Sequence, residues 1–251
     1  MSEATTLNLT VQGPVDRGIL GTLFTYLKIS IYFYRHSYHY VYEGKALPID
    51  ATRRLIRSRR DEITDSAQAV AAEQLANRII LSSAYQNSQH IAVYWAVGGE
   101  ISLQPLIRRA WQEGKQCYLP VIRRQSLVFV PYFEHAVMAK NVFGIPEPEV
   151  CDNILPAAEL DLVLTPLVAF DSQCHRIGMG GGYYDRAFAF LNVQKEGRGL
   201  PPVAGGKRNN LSRPFLMGVS HGCQQVDVIH PESWDVALDG ICTDLTEIKV
   251  D

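Results

Sequence analysis

An apolar run at residues 160–170, Leu-Asp-Leu-Val-Leu-Thr-Pro-Leu-Val-Ala-Phe, ends at Asp171 and leads into Arg-Ile-Gly-Met-Gly-Gly-Gly-Tyr-Tyr-Asp-Arg at 176–186. No other stretch of the chain narrows the available folds so far. The run reads as a buried strand, the glycines as a turn without side chains, and residues 183–191 as the start of a helix. Glycines let the backbone take positive φ and approach a ligand closely. First-turn N–H groups and the positive end of a helix dipole then face an anion. Arg176 and Arg186 supply positive charge at the two ends, and Asp185 offers a hard oxygen to a cation. The same pattern is also compatible with a tight turn followed by a solvated helix start. Its spacing matches neither Gly-x-x-x-x-Gly-Lys-Ser/Thr nor Gly-x-Gly-x-x-Gly, so a phosphate site of unspecified type is as far as the glycines lead.

Composition sets outer limits. A chain of 251 residues, 47% apolar and 20% charged, fits one large soluble α/β domain or a domain with appendages. A net charge of −2 argues against nucleic acid as a partner held by bulk electrostatics. The five cysteines, Cys117, Cys151, Cys174, Cys223 and Cys242, are odd in number and lack Cys-x-x-Cys spacing, which suggests reduced cytoplasmic thiols. The histidines form no paired ligand motif, so a metal, if used, is expected to be Mg2+ on carboxylates and phosphate oxygens.

Residues 1–48 differ from the rest and read as an atypical N-terminal extension, with an aromatic-rich stretch between Phe24 and Tyr42. Its apolar part, 19–34, carries Lys28 and falls short of the ~20 apolar residues of a spanning helix, so membrane insertion is not expected. A signal peptide is not expected either, because no basic leading region or small-residue cleavage site is present. Either an extra packed or disordered arm or a start assigned too far upstream accounts for it. Nothing catalytic is expected before about residue 49.

Residues 49–251 read as a single catalytic domain. Arg53, Arg54, Arg57, Arg59 and Arg60 crowd one helix, with Arg53 and Arg57 a turn apart on one side. Thr64 is placed as the N-cap of a helix to Leu81 that buries Val70, Leu75, Ile79 and Ile80. A strand at 91–97 turns at Gly98 and Gly99 into Glu100. Ser102 is placed as the cap of a helix at 103–113 that buries Leu106, Ile107 and Ala110 and stops at Gly114. Residues 117–121, 127–132, 215–219 and 241–243 read as strands. Pro146 and Pro148 are expected to keep 144–148 a loop, and 194–214 reads as a long mobile insertion. Alternating strands and helices predict a mostly parallel sheet covered on both faces, with ligands gathering beyond the strand carboxyl ends.

Several of these segments together resemble the 5-formyltetrahydrofolate cyclo-ligase (5,10-methenyltetrahydrofolate synthetase) family. The signature is Thr-Pro-Leu-Val-Ala-Phe-Asp at 165–171 with the glycine segment at 176–186. In order along the chain come the arginine-rich helix, Tyr-Trp-Ala-Val-Gly-Gly-Glu at 94–100, Gly-Lys-Gln-Cys-Tyr-Leu-Pro at 114–120 and Gly-Ile-Pro-Glu-Pro at 144–148. Trp-Asp-Val-Ala-Leu-Asp-Gly-Ile-Cys-Thr-Asp closes the match at 234–244. The resemblance spans about residues 53–247. It implies a three-layer αβα fold similar to that of sugar-phosphate isomerases and CoA transferases. It also implies ATP-dependent, Mg2+-requiring conversion of 5-formyltetrahydrofolate to 5,10-methenyltetrahydrofolate with release of ADP and phosphate.

Residue by residue, the resemblance implies ATP contacts at Arg53, Arg54, Arg57, Arg176, Gly178, Met179, Gly180, Gly181, Gly182, Tyr183 and Tyr184. Folate contacts are implied at Trp95, Glu100 and the loop from Met179 to Tyr183, metal ligation at Asp185 and Asp235, and catalytic roles for Arg176, Tyr183 and Asp185. Asp235 also reads as a simple turn cap, Trp95 as core, and Arg53 as part of a solvated face. Phosphoryl transfer of this kind needs positioning and charge neutralisation, and the chain shows no Ser/His/Asp or Cys/His constellation. Ile49 stands where the family usually carries a basic residue, Ile177 replaces a leucine, and Lys207, Arg208 and Arg213 are candidates for a basic lid residue. The expected protein is a cytoplasmic monomer whose partner is a small folate, with polyglutamate preference open. The alternatives are a folate- or nucleotide-binding relative without turnover, kept alive by Ile49, and an isomerase or CoA-transferase relative that shares only the layers.

Overall fold

The computed structural model describes residues 5–10, 28–34, 37–42, 47–149, 153–195 and 214–249. Strands β1 (Thr5–Thr10), β2 (Lys28–Tyr34) and β3 (Ser37–Tyr42) pair as an antiparallel sheet with β2 in the middle. The arginine-rich segment forms helix α1 (Ile49–Asp61), which buries Thr52, Ile56 and Arg60 on one side, four residues apart. Helix α2 (Asp65–Leu81) begins as read, with Thr64 Oγ1 accepting from Ala67 N at 3.3 Å. It buries Ala71, Leu75 and Ile79, but Val70 is 56% exposed, against expectation. Val70 precedes Leu75 by five positions, which places it about 140° round the helix from the buried stripe.

After the short α3 (Ser83–Gln86), strand β4 (His90–Ala92) is briefer than the expected 91–97. The chain then leaves the sheet towards Gly98 and Gly99, which take positive φ of 54° and 73°. Helix α4 (Gln104–Gln112) is preceded by Leu103 as the N-cap residue. Ser102 contributes one step earlier than expected, with its Oγ accepting from Gln104 N at 3.3 Å. Strands β5 (Gln116–Arg123) and β6 (Ser126–Tyr132) form a hairpin.

Strands β7 (Met138–Lys140) and β8 (Pro146–Pro148) correct the loop expected at 144–148. Asn141 N donates to Ile145 O and Glu149 N to Val137 O, so Pro146 and Pro148 fall at the alternate positions, where no ladder N–H is required.

The apolar run 160–170 divides into β9 (Leu162–Pro166) and β10 (Ala169–Phe170), and β10 turns back antiparallel onto β11 (Arg176–Ile177). The expected helix at 183–191 is likewise two pieces, α5 (Tyr183–Ala187) and α6 (Phe190–Lys195), parted at Phe188. Most of the insertion read at 194–214, including Lys207, Arg208 and Arg213, lies outside the described residues. Strands β12 (Phe215–Ser220), β13 (Gly240–Thr243) and β14 (Glu247–Lys249) complete the chain.

The central sheet runs β14-β13-β12-β9-β4-β5-β6. Its five inner strands are parallel, and β14 and β6 close the two edges antiparallel. Side chains alternate across it. Ile91, Val93, Leu162, Leu164, Met217 and Val219 pack with Leu75 and Ile79 of α2 and Leu106 of α4. Ala92, Val163, Leu216 and Ile241 face the other way, against Phe188 and Leu191. Burial on both faces requires apolar side chains at successive positions, which explains the unbroken run in β9. Each such side chain contributes about 1.5–3 kcal/mol. This is the expected three-layer, mostly parallel α/β architecture.

Candidate active site

The strand carboxyl ends bring three segments together: the turn before Glu100, the glycine loop after β11 and the turn after β12. Asp171 pins the approach to the glycine loop. It is 1% exposed, and its Oδ1 accepts from Gln173 N and His175 N, each at 3.0 Å. Its Oδ2 accepts from Ile229 N at 2.9 Å and meets His175 Nδ1 at the same distance. The β10–β11 turn is thereby held, and Arg176 emerges at a fixed place.

In the loop itself, Gly180 takes φ 100°, with a Cβ position 3.5 Å from Arg53 Nη2, and Gly182 takes φ 61° as the N-cap of α5. Side chains at either position would be strained. None of the backbone N–H groups of Gly178, Met179, Gly180, Gly181 and Gly182 has a protein acceptor among the described residues. They remain free for a ligand's oxygens. The dipole contribution expected from a longer helix shrinks, because α5 has five residues.

Arg53 reaches the loop from α1, with its Nε donating to Gly178 O at 2.9 Å and its Nη1 pairing with Asp50 at 2.8 Å. Arg57 lies over the loop, Nη2 3.7 Å from Met179 Sδ, while Arg54 is exposed and Ile49 is 45% exposed at the helix start. On the far side, Arg186 Nε donates to Gln125 O at 2.7 Å, and its guanidinium lies 4.8 Å over the Tyr183 ring. That strap joins the loop to the β5–β6 turn.

Arg176 is not aimed openly at the loop. Its guanidinium donates to Asp185 Oδ1 and to Val236 O, and Asp185 Oδ1 also accepts from Val236 N at 3.2 Å. Asp235 directly precedes Val236, so the two carboxylates expected to hold a metal come from segments bonded to each other. Asp235 Oδ2 accepts from Glu232 N at 2.9 Å, the turn-capping bond read as the alternative. No group of three or more His, Cys, Asp or Glu forms a metal cluster among the described residues. Two carboxylates without a third suit Mg2+ that arrives with phosphate oxygens better than a protein-caged ion.

The Glu100 turn lies between β4 and α4. Trp95 is half-buried, its ring edge-on to Tyr132 at 6.4 Å, and it packs against the core. Glu100 folds back on its own turn, Oε2 accepting from Val97 N at 3.1 Å. Burial raises its carboxyl above the ordinary range, while that bond and the Arg60 cation act downward. The Tyr184 phenol is pushed up, first by burial and then by the Glu100 charge. Tyr94 is buried, and its OH donates to Ile101 O at 2.8 Å. His221, after β12, is 2% exposed and held below its usual range, chiefly by burial.

Sequence reading gave Tyr94, His221 and Asp171 no site role and did not separate Arg60 from the other arginines of its run. The buried face of α1, a four-residue spacing from Thr52 through Ile56 to Arg60, was the available signal for Arg60.

Fold and site together define an α/β enzyme with a glycine loop beyond the ends of parallel strands, the place where ligands gather in such sheets. The chain belongs to the 5-formyltetrahydrofolate cyclo-ligase family, whose model matches residues 49–244. It is 35% identical to a 5-formyltetrahydrofolate cyclo-ligase of Haemophilus influenzae, over 73% of this chain and 90% of that protein. The corresponding Escherichia coli K12 enzyme is 34% identical, over 75% and 96%. The NMR structure of a 5,10-methenyltetrahydrofolate synthetase from Aquifex aeolicus superposes with a TM-score of 0.65 at 22% identity. That match covers 81% of this chain and 93% of the other and supports the fold.

Proposed function

We propose that this chain closes 5-formyltetrahydrofolate to 5,10-methenyltetrahydrofolate at the expense of ATP. Family membership supports this reading, and the observation that carries it is that helix α1 touches both segments, Arg53 donating to Gly178 O at 2.9 Å and Arg60 lying against Gly98 and Gly99 of the Glu100 turn. The free N–H groups of the loop hold ATP phosphates, and Arg57 and Arg53 neutralise their charge from α1. Gly180 lets the loop approach the nucleotide without a Cβ in the way. Glu100 accepts from the pterin N–H groups, with Trp95 and Tyr183 flanking the ring.

An N-formyl carbon is a poor electrophile because the nitrogen lone pair is delocalised into its carbonyl. Transfer of the γ-phosphoryl to the formyl oxygen releases ADP and makes that oxygen a leaving group. The N10 lone pair then attacks the formyl carbon, N10 loses its proton, the C–O bond breaks and phosphate departs. No protein nucleophile takes part, so the residues act by positioning and charge. Asp185, oriented by Arg176 and Val236 N, and Asp235 are the residues that would hold Mg2+, which when bound neutralises phosphate charge.

Residues 49–251 serve as one catalytic domain, with 194–214 as an insertion and 1–48 as an extension. We place the protein in the cytoplasm as a monomer with no nucleic-acid or membrane partner. Among the described residues no helix is long and apolar enough to cross a membrane. The relatives named as cyclo-ligases do not favour the reading without turnover. Release of ADP that depends on 5-formyltetrahydrofolate, in equal amount to product, tests the reaction. ADP release that ignores the folate would refute it.

A further inference from the structure

The carboxyl end of α1 holds a charge that the reaction above does not use. Arg60 is 3% exposed, and its Nε and Nη1 have no hydrogen-bond partner among the described residues. A guanidinium buried in this way costs several kcal/mol unless an opposite charge offsets it. Its side chain runs beneath the turn that carries Glu100. A Cβ on Gly99 would stand 3.3 Å from Arg60 Cβ, and one on Gly98 3.9 Å from Arg60 Nη2. Both glycines take positive φ, so the turn closes over the arginine where a residue with a side chain would be strained.

Glu100 is held from within the turn, its N–H donating to Val97 O and its Oε2 accepting from Val97 N, each at 3.1 Å. The groups that face this pair come from every neighbouring element. Tyr94 follows β4, Tyr184 lies on α5 and is also near Arg176, and His221 and Cys223 follow β12 and also face Asp244. Arg59 faces Cys223 as well. Glu100 directly follows the two glycines that lie against Arg60, so its carboxylate belongs to the turn that this guanidinium underlies, and the Arg60 charge favours its ionised form.

We propose that Arg60 is the buried counter-charge of Glu100, a positioning residue that keeps this carboxylate presented to the folate and so governs folate capture, not ATP capture. The proposal rests on the folate role assigned to Glu100 above. It divides the labour of α1. Arg53 touches the nucleotide loop, and Arg60, seven residues or about two turns later, supports the folate turn. An ionised Glu100 accepts two pterin N–H donors, whereas a protonated one offers a donor where an acceptor is needed. Removing the Arg60 charge favours the protonated form.

Steady-state kinetics on the full chain with ATP, Mg2+ and 5-formyltetrahydrofolate test this. Arg60→Met should raise the folate KM about tenfold, leave the ATP KM within about twofold, and move the acid limb of kcat/KM for folate to higher pH. In a Glu100→Gln background the same substitution should change the folate KM by less than about twofold, because the two act through one another. An unmoved folate KM and acid limb in Arg60→Met, an equal rise in both KM values, or a full effect without Glu100 would each overturn the proposal. If Arg60→Met does not fold, Arg60→Lys decides. A folate KM within about threefold of wild type supports a role for charge, and a larger rise overturns it. Failure of the functional reading is distinct, since it would leave the wild-type chain without turnover and overturn both.

Discussion

Asp185 Oδ1 anchors Arg176 and Val236 N, which leaves Oδ2 for the cation in the proposed reaction. Asp185→Asn keeps the shape and an acceptor but removes the charge. Turnover should fall by about 100-fold or more with the far-ultraviolet circular dichroism unchanged, and near-normal turnover would remove the metal role. Gly180→Ala acts by conformation, since φ 100° strains any side chain by about 1–3 kcal/mol. Its expected signature is a raised ATP KM with little change for folate, read by varying each substrate in turn. Glu100 gives the pH dependence. Its carboxyl lies above the usual range, so on acidification it takes up its proton earlier than an exposed glutamate. Folate capture should therefore decline from a higher pH than an ordinary carboxylate would give, and a Glu100→Gln profile should lack that limb.

Between residues and molecule, the elements show how local structure places the site. Asp171 ties Gln173 N, His175 N and His175 Nδ1 of its own turn to the distant Ile229 N, and Asp171→Ala removes the acceptor of all four, Ile229 N being buried. A loss of about 3–5 kcal/mol, read as a lower urea midpoint, is expected. The elements that periodicity reveals were legible: α2 from Thr64, α4 from its buried Leu106 and Ile107, and β5, β6, β12 and β13 from short apolar runs. What escaped was decided by partners. The β7–β8 pair tolerates Pro146 and Pro148 only because of its register, which composition does not encode. The break between α5 and α6 at Phe188 sends that ring into the core beside Phe129, a tertiary preference that overrides helical continuity. The turn at the glycine loop was legible because Gly180 and Gly182 are demanded by their positive φ. Arg60 and His221 were not, because their roles depend on burial by segments far away in sequence.

At the scale of the whole molecule, the sheet presents its strand carboxyl ends as a platform, and α1 runs from the glycine loop to the Glu100 turn. Buried His221 marks one cost of that interior. Burial holds its imidazole below the ordinary 6.5, so as pH falls below that value the unfolded chain binds the proton first. Its contribution to stability is complete above the unfolded value and drains as pH falls towards the folded one. Between neutrality and pH ~5 the wild-type Tm should fall further than that of His221→Asn, and equal slopes would show that His221 is not the source. The central claim joins these parts in one reaction, and the growth of near-ultraviolet methenyl absorbance reports that reaction directly. Purified chain with ATP, Mg2+ and 5-formyltetrahydrofolate should develop it, with omission of ATP abolishing it. A folded chain that leaves the absorbance flat with both substrates and metal present would contradict the account.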